Sequence, residues 1–324
     1  MRVLVTGAAG FIGAAVAAAL LARGDRVLGV DNLNDYYDPA LKKARLARLT
    51  GSEFAFKQLD FADGLALGDE AFDRIIHLGA QAGVRYSLLN PMAYARSNIV
   101  GHLNLLELAR EREVPMVYAS SSSVYGGNKT LPFSVDDRTD HPVSLYAATK
   151  RADELISESY AHLYRIPLTG LRFFTVYGPW GRPDMAPWLF TQAILASKPI
   201  KVFNNGAMSR DFTYIDDIVA GVLACNDHPP ADDGTAKPGG SVAPHIIYNI
   251  GNNRPEKLMR FIELIEAATN KAAICDFQPM QPGDVATTFA DISAISHDHG
   301  YVPTTSLDVG IPEFVKWFRS YHGI

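Results

Sequence analysis

Cysteine is scarce. Only Cys225 and Cys275 occur among 324 residues, neither in a CxxC, and no His/Cys group has zinc spacing. No metal site and no disulfide framework is expected, and a reduced, cytoplasmic setting is the simplest reading. An excess of positive charge is also missing. The net charge is -5 and no basic stripe is visible, which argues against nucleic acid and anionic membrane as partners. Any anionic ligand must be held by local donors against a mildly unfavourable field. A membrane-length apolar run is absent too. Gly7 to Ala22 carries no charge, and Arg2 before it imitates the start of a secretion signal. Polar Thr6-Gly7 and regularly spaced glycines break that pattern, and a membrane helix needs roughly 20 apolar residues.

What is present is a soluble, globular composition, 48% hydrophobic and 20% charged, in a chain long enough for one large or two unequal domains. Apolar, β-branched runs at 3–6, 27–31, 54–59, 74–78, 116–121 and 168–174 read as strands. Helical patterns at 11–23, 39–49, 91–112 and 144–164 fall between most of them. This alternation predicts an α/β fold, a doubly wound parallel sheet with helices on both faces. After about Phe174 the pattern changes to short segments rich in Pro, Gly and aromatics. Strands at 211–214 and 246–250 are expected to rejoin the sheet, 228–244 is a loop insertion, and helices recur near 256–268 and 307–321. The reading is a Rossmann domain over 1–174, with returning segments near 210–226 and 245–250. A smaller α/β substrate domain would comprise 175–209 and 251–324.

"VLVTGAAGFIG" places Gly7, Gly10 and Gly13 between a strand and a helix. Without Cβ atoms there, the turn can be tight and the backbone can approach a pyrophosphate at the helix N-terminus. The second strand ends in Asp31. A carboxylate at that place accepts both ribose hydroxyls and repels a 2′-phosphate, and no arginine follows in "NLND", so NAD is favoured over NADP. Asp60 and Phe61, after the third strand, are expected to cover the adenine.

"SLYAATKRADEL" holds Tyr146 and Lys150 four apart, on one face of a helix. Tyrosine ordinarily titrates near ~10, and an adjacent ammonium favours the phenolate, giving a base for an alcohol that loses hydride from the same carbon. The spacing alone is common. Tyr125 and Lys129 repeat it in "YGGNK", where glycines and asparagine oppose a helix.

One more absence concerns acid. "YASSSSVYGG" follows a strand with four hydroxyls and no carboxylate. Hydroxyls donate and accept hydrogen bonds but are not general acids near neutral pH. They either serve a bound group or satisfy backbone at a turn.

Together these features resemble the extended short-chain dehydrogenase/reductase superfamily over nearly the whole chain, through "GAAGFIG", "HLGAQAGVRYS", "SSSSVYG", "YAATK", "LRFFTVYGP" and "RDFTYIDD". Within it, "DNLNDYYDPALKKARL", "AQAGVRYSLLNPMAY", "PVSLYAATKRADEL" and "FFTVYGPWGRPDMAPWLF" look like the UDP-glucuronate 4-epimerases. The resemblance implies a tightly held NAD and transient oxidation of UDP-glucuronate or UDP-galacturonate at C4. It adds Phe11, Ile12, Asn32, Leu78 and Ala80 to the cofactor contacts.

On the substrate side the resemblance puts Ser121 beside Tyr146 on the reacting hydroxyl, and Ser122, Ser123 and Thr175 near the C5 carboxylate. Arg182 is its favoured cation and Arg85 a second one. Arg210 is implied at the diphosphate, and Gln281, Asp284 and Asn204 toward the uridine. A homodimer through the helices at 91–112 and 144–164 is the family expectation. Related dehydratases and decarboxylases carry acids in the serine run, so this chain departs from them. The rival readings are a 4-epimerase of neutral UDP-hexoses, a UDP-glucuronate decarboxylase, and a non-catalytic NAD-sensing protein on the same fold.

Overall fold

A computed structural model describes residues 1–68, 70–281 and 284–324. Twelve strands are found among them: β1 (Arg2–Thr6), β2 (Arg26–Asp31), β3 (Phe54–Gln58), β4 (Arg74–His77), β5 (Met116–Ser121), β6 (Leu168–Phe173), β7 (Thr175–Tyr177), β8 (Pro199–Val202), β9 (Ser209–Tyr214), β10 (His245–Ile250), β11 (Pro255–Lys257) and β12 (Ile274–Phe277). Seven of them form one sheet in the order β10-β6-β5-β4-β1-β2-β3. Every pairing in it is parallel, with Val3 opposite Val27 on one side and Arg74 on the other. The strand order reverses at β1 and β4. That switch point opens a crevice beyond the strand ends, where open α/β sheets bind ligands.

Strand residues alternate between two cores, as the pleat requires. Leu4, Ile75 and Met116 face a core shared with Leu105 and Ile166. Val3, Val5, Ile76 and Val117 face the other, which continues without interruption to Phe261 and Phe314 in the C-terminal helices. The two regions of the chain therefore share one apolar interior.

Two expectations are corrected. β10 joins the large sheet beside β6, but β9 does not. It pairs with β7 in parallel and β11 antiparallel, forming a separate three-stranded sheet. Alternation marks β9 as a strand without naming its neighbour. The helix that follows it, Ile215–Asp227, does return, and packs on the helix Phe11–Ala22. The pattern over 91–112 is also not one uniform helix. Pro91–Tyr94 and Gly101–Arg112 are α-helical, and Ala95–Val100 is a π-helical turn. Such turns often mark sites where a side chain has another task. Here Asn98 is buried and bonds both Gln81 backbone groups and Thr149 Oγ1.

Candidate active site

Gly7 lies at φ +70°, and a Cβ there would sit 2.7 Å from the Gly79 nitrogen. A Cβ on Gly13 would sit 2.0 Å from the Gly7 oxygen, so no side chain fits. The helix Phe11–Ala22 starts with no side-chain cap and no acid in its first turn. Its free N–H groups face a cavity of ≈ 470 Å³ that runs from the glycine turn past the ends of β4, β5 and β6. A glycine cradle with an uncapped helix behind it and a carboxylate at its far edge fits a dinucleotide. That carboxylate is Asp31. Its oxygens accept from Ala9 N at 3.2 Å and Leu33 N at 2.8 Å, which fixes it at the rim of the cavity.

Phe11, Ile12, Asn32, Phe61, Leu78 and Ala80 also line this cavity, and Asp60 does not. Asp60 stands behind the wall, accepting from Ala62 N and Asn32 Nδ2, and so sets the turn that carries Phe61. Thr6 bonds the His77 ring at 2.7 Å and accepts from Gly79 N, holding the turn after β4. Burial and then the charge of Lys150 push His77 down to about 3, so its imidazole is neutral.

Tyr146 and Lys150 come from the helix Leu145–Tyr164, which Ser144 caps by accepting from Ala147 N. Both line the cavity. Lys150 is buried and spends two donors on Ala119 O at 2.9 Å and Asp153 Oδ2 at 3.0 Å. Tyr94 presents its ring to Tyr146 at 6.0 Å between centroids, and its hydroxyl holds the backbone of Ala82 and Gly83. The Tyr125/Lys129 repeat has no such setting. Tyr125 is buried, donating to Asn249 and accepting from Arg172.

The serine run divides by task. Ser120 donates to Glu154 at 2.6 Å, joining the buried Glu154–Arg172 ion pair. Ser121 caps the short turn Ser122–Tyr125 by accepting from Ser123 N, and its hydroxyl also meets that of Ser123 at 3.1 Å. Ser121, Ser122 and Ser123 all line the cavity. The turn requirement and the exposure to the cavity thus coexist in the same residues.

Thr175, Arg182, Arg210 and Asp284 complete the opposite wall. Arg182 is not free. It forms a bidentate pair with Asp184 at 3.0 and 2.6 Å, and Tyr36 from the loop after β2 donates to the same carboxylate. Burial and then Asp184 push the Tyr36 phenol up to about 12, which keeps it a donor. Among the described residues Arg210 bonds only the carbonyls of Ser209 and Ala286, both through Nη1, and it lines the cavity as a forked cation. Arg85, Asn204 and Gln281 stand outside the wall. Arg85 is exposed, lies 4.8 Å over Phe203 and pairs with Asp284 at 3.4 Å. Asn204 donates to Ala207 O. Pro282 and Gly283 of "MQPGDV" lie outside the described residues.

Several participants were not found from sequence: Asn98, Asp153, Tyr36, Asp184, Lys42 and Arg45. Arg45 is fully buried and, among the described residues, has no carboxylate partner. Its five N–H groups meet Ala9 O, Tyr37 Oη, Gly181 O and, twice, Trp180 O. It ties the glycine turn to the loop that carries Arg182. A signal for it existed, since an arginine on the apolar face of an amphipathic helix needs buried acceptors.

The assembled cavity can hold a dinucleotide at one end and an anionic nucleotide at the other, with a tyrosine–lysine pair between them. Residues 3–251 match the NAD dependent epimerase/dehydratase family. UDP-glucuronate 4-epimerase 1 of Arabidopsis thaliana is 48% identical over 333 residues, covering 100% of this chain and 78% of the relative. A solved UDP-glucuronic acid 4-epimerase from Bacillus cereus, in complex with UDP-glucuronic acid and NAD, is similar at TM-score 0.88 and 32% identity, covering 99% of this chain and 100% of that one. A UDP-glucose 4-epimerase from Thermotoga maritima with UDP-glucose is nearly as similar in shape, at TM-score 0.86 and 27% identity, with 99% of this chain and 100% of that one covered. With the glycine cradle, Asp31 and the Tyr146–Lys150 pair in one cavity, this chain belongs to the NAD dependent epimerase/dehydratase family.

Proposed function

We propose that this protein interconverts UDP-glucuronate and UDP-galacturonate at C4. The observation that carries the reading is the placement of Tyr146 and Lys150 in one cavity with the hydroxyls of Ser121, Ser122, Ser123 and Thr175. NAD held by the glycine turn and Asp31 would supply the hydride acceptor, and later donor, for C4. Tyr146 takes the proton of the 4-hydroxyl, and Lys150, held by Ala119 O and Asp153, keeps a positive charge beside it. Ser121 bonds the reacting oxygen. Arg210 grips the diphosphate, about which the sugar turns to offer its other face.

The intermediate is a 4-ketouronate, a β-keto acid prone to lose carbon dioxide. Decarboxylation is fastest when the breaking C–C bond stands perpendicular to the carbonyl plane. Ser122, Ser123 and Thr175 hold the carboxylate away from that orientation and place no acid beside it. We assign 1–174, with the returning segments near 210–226 and 245–250, to the cofactor, and 175–209 with 251–324 to the UDP-sugar.

A neutral-hexose 4-epimerase is the second reading. One observation favours it: Arg182 is already paired with Asp184 and offers a uronate less than its full charge. We further propose a homodimer through the helices Gly101–Arg112 and Leu145–Tyr164, on which Leu103, Leu155 and Leu163 are exposed, and a cytoplasmic setting with both cysteines reduced. Among the described residues no helix is long and apolar enough to cross a membrane.

The test is NMR product analysis with UDP-glucuronate and no added cofactor. Conversion to the galacto epimer is expected. Turnover of UDP-glucose alone would favour the second reading, sustained carbon dioxide release would favour a decarboxylase, and no turnover of any UDP-sugar would favour the non-catalytic NAD sensor.

A further inference from the structure

Lys42 lies on the helix Pro39–Leu46 and is buried, yet it lines the cavity beside Asp31 and Asn32. Its ammonium has three donors. One meets Asn34 Oδ1 at 2.7 Å, and the ring of Tyr37 lies 5.0 Å away. Among the described residues no carboxylate lies within ion-pair distance of it. Burial pulls its pKa down, Asp31 and Asp35 raise it, and the nearby Arg45 lowers it further. A buried cation with one neutral partner is costly unless another group arrives. The two remaining N–H groups belong to the half of the cavity that Asp31 edges, where an oxygen-rich ligand would meet both a donor and an acceptor.

We propose that Lys42 is a cofactor-binding residue, its ammonium donating to the ribose–phosphate of the adenosine half of the dinucleotide opposite Asp31. The pairing divides the labour. Asp31 accepts from ribose hydroxyls and excludes a 2′-phosphate, while Lys42 supplies the cation that the glycine turn lacks. The proposal rests on the dinucleotide site and is independent of which sugar is epimerised.

The test measures release of NAD from the holoenzyme of wild type, K42M and K42Q, with melting temperatures recorded at rising NAD. Loss of a charge-assisted hydrogen bond is expected to speed release roughly tenfold or more in both variants. The rise in melting temperature that NAD produces should shrink. K42M freed of dinucleotide should melt no lower than wild type, because an ammonium with one partner has left the interior. Competition by adenosine and by AMP separates the two oxygens. Equal weakening of both in K42M points to the ribose, and weakening of AMP alone to the phosphate. Wild-type release rates in both variants overturn the proposal. So does a lower melting temperature without NAD combined with an unchanged NAD-induced rise, which would make Lys42 structural. If K42M does not fold, K42Q decides by the same measurements.

Discussion

Lys150 and Asp153 face each other one turn apart in the interior, Nζ to Oδ2 at 3.0 Å, and the second oxygen of that carboxylate is buried with no hydrogen-bond partner among the described residues. Burial pushes the Asp153 acid up to about 7, against the opposing pull of Lys150. In the unfolded chain an aspartate titrates near ~4. Between those values the folded state binds the extra proton, so this group's stabilising contribution is full below about pH 4 and is lost as pH rises through about 7. D153N keeps an acceptor for Lys150 and cannot ionise. Its melting temperature should therefore gain on wild type between pH 5 and pH 8, by several degrees. Parallel melting curves across that range would contradict the assignment.

Replacing Tyr146 with Phe removes the base and leaves the ring that Tyr94 packs against. Turnover should fall by roughly 10²–10⁴-fold, in line with loss of a positioned proton acceptor. The NAD retained by the purified variant should match wild type. Epimerisation at the parental rate, followed by NMR, would show that another group takes the proton.

The double variant S122A/S123A leaves the capping hydroxyl of Ser121 in place, so the turn should survive. Without two of its holders the carboxylate of the keto intermediate turns more freely. Carbon dioxide released per epimerisation should rise several-fold, measured by trapping labelled gas alongside the sugar products. An unchanged ratio would return these two serines to a turn-forming role alone.

Asp184 holds Arg182 through both oxygens and also takes the Tyr36 hydroxyl. D184N keeps an acceptor and removes the charge, so more of the guanidinium's field reaches the cavity. The ratio of kcat/KM for UDP-glucuronate to that for UDP-glucose should increase several-fold. If both constants fall together, the pair serves only to shape its loop.

The parts legible in sequence were those whose partners lie nearby along the chain. Gly7, Gly10 and Gly13 occupy one turn, Tyr146 and Lys150 one helical face, and Ser121 to Ser123 one strand end. The parallel sheet followed from the alternation of elements. Long-range choices were not legible. Tyr36 and Asp184 stand 148 residues apart and meet only after folding. Arg45 shares a helical face with Leu41, which is the one local hint that it goes inward, but nothing local names Trp180 and Gly181 as its acceptors or says that Lys42 is buried as well. The same limit explains β9, whose residues specify a strand but not the sheet it enters.

Arg45 carries a consequence for how this protein can be taken apart. Three of its N–H groups reach carbonyls at Trp180 and Gly181, while another holds Ala9 beside the glycine turn. A chimaera that grafted a foreign sugar-recognition half onto this nucleotide half would inherit a guanidinium aimed at acceptors that are no longer there. The two halves are matched through this one side chain, and any transplant has to carry the 178–182 loop across with the helix that reads it.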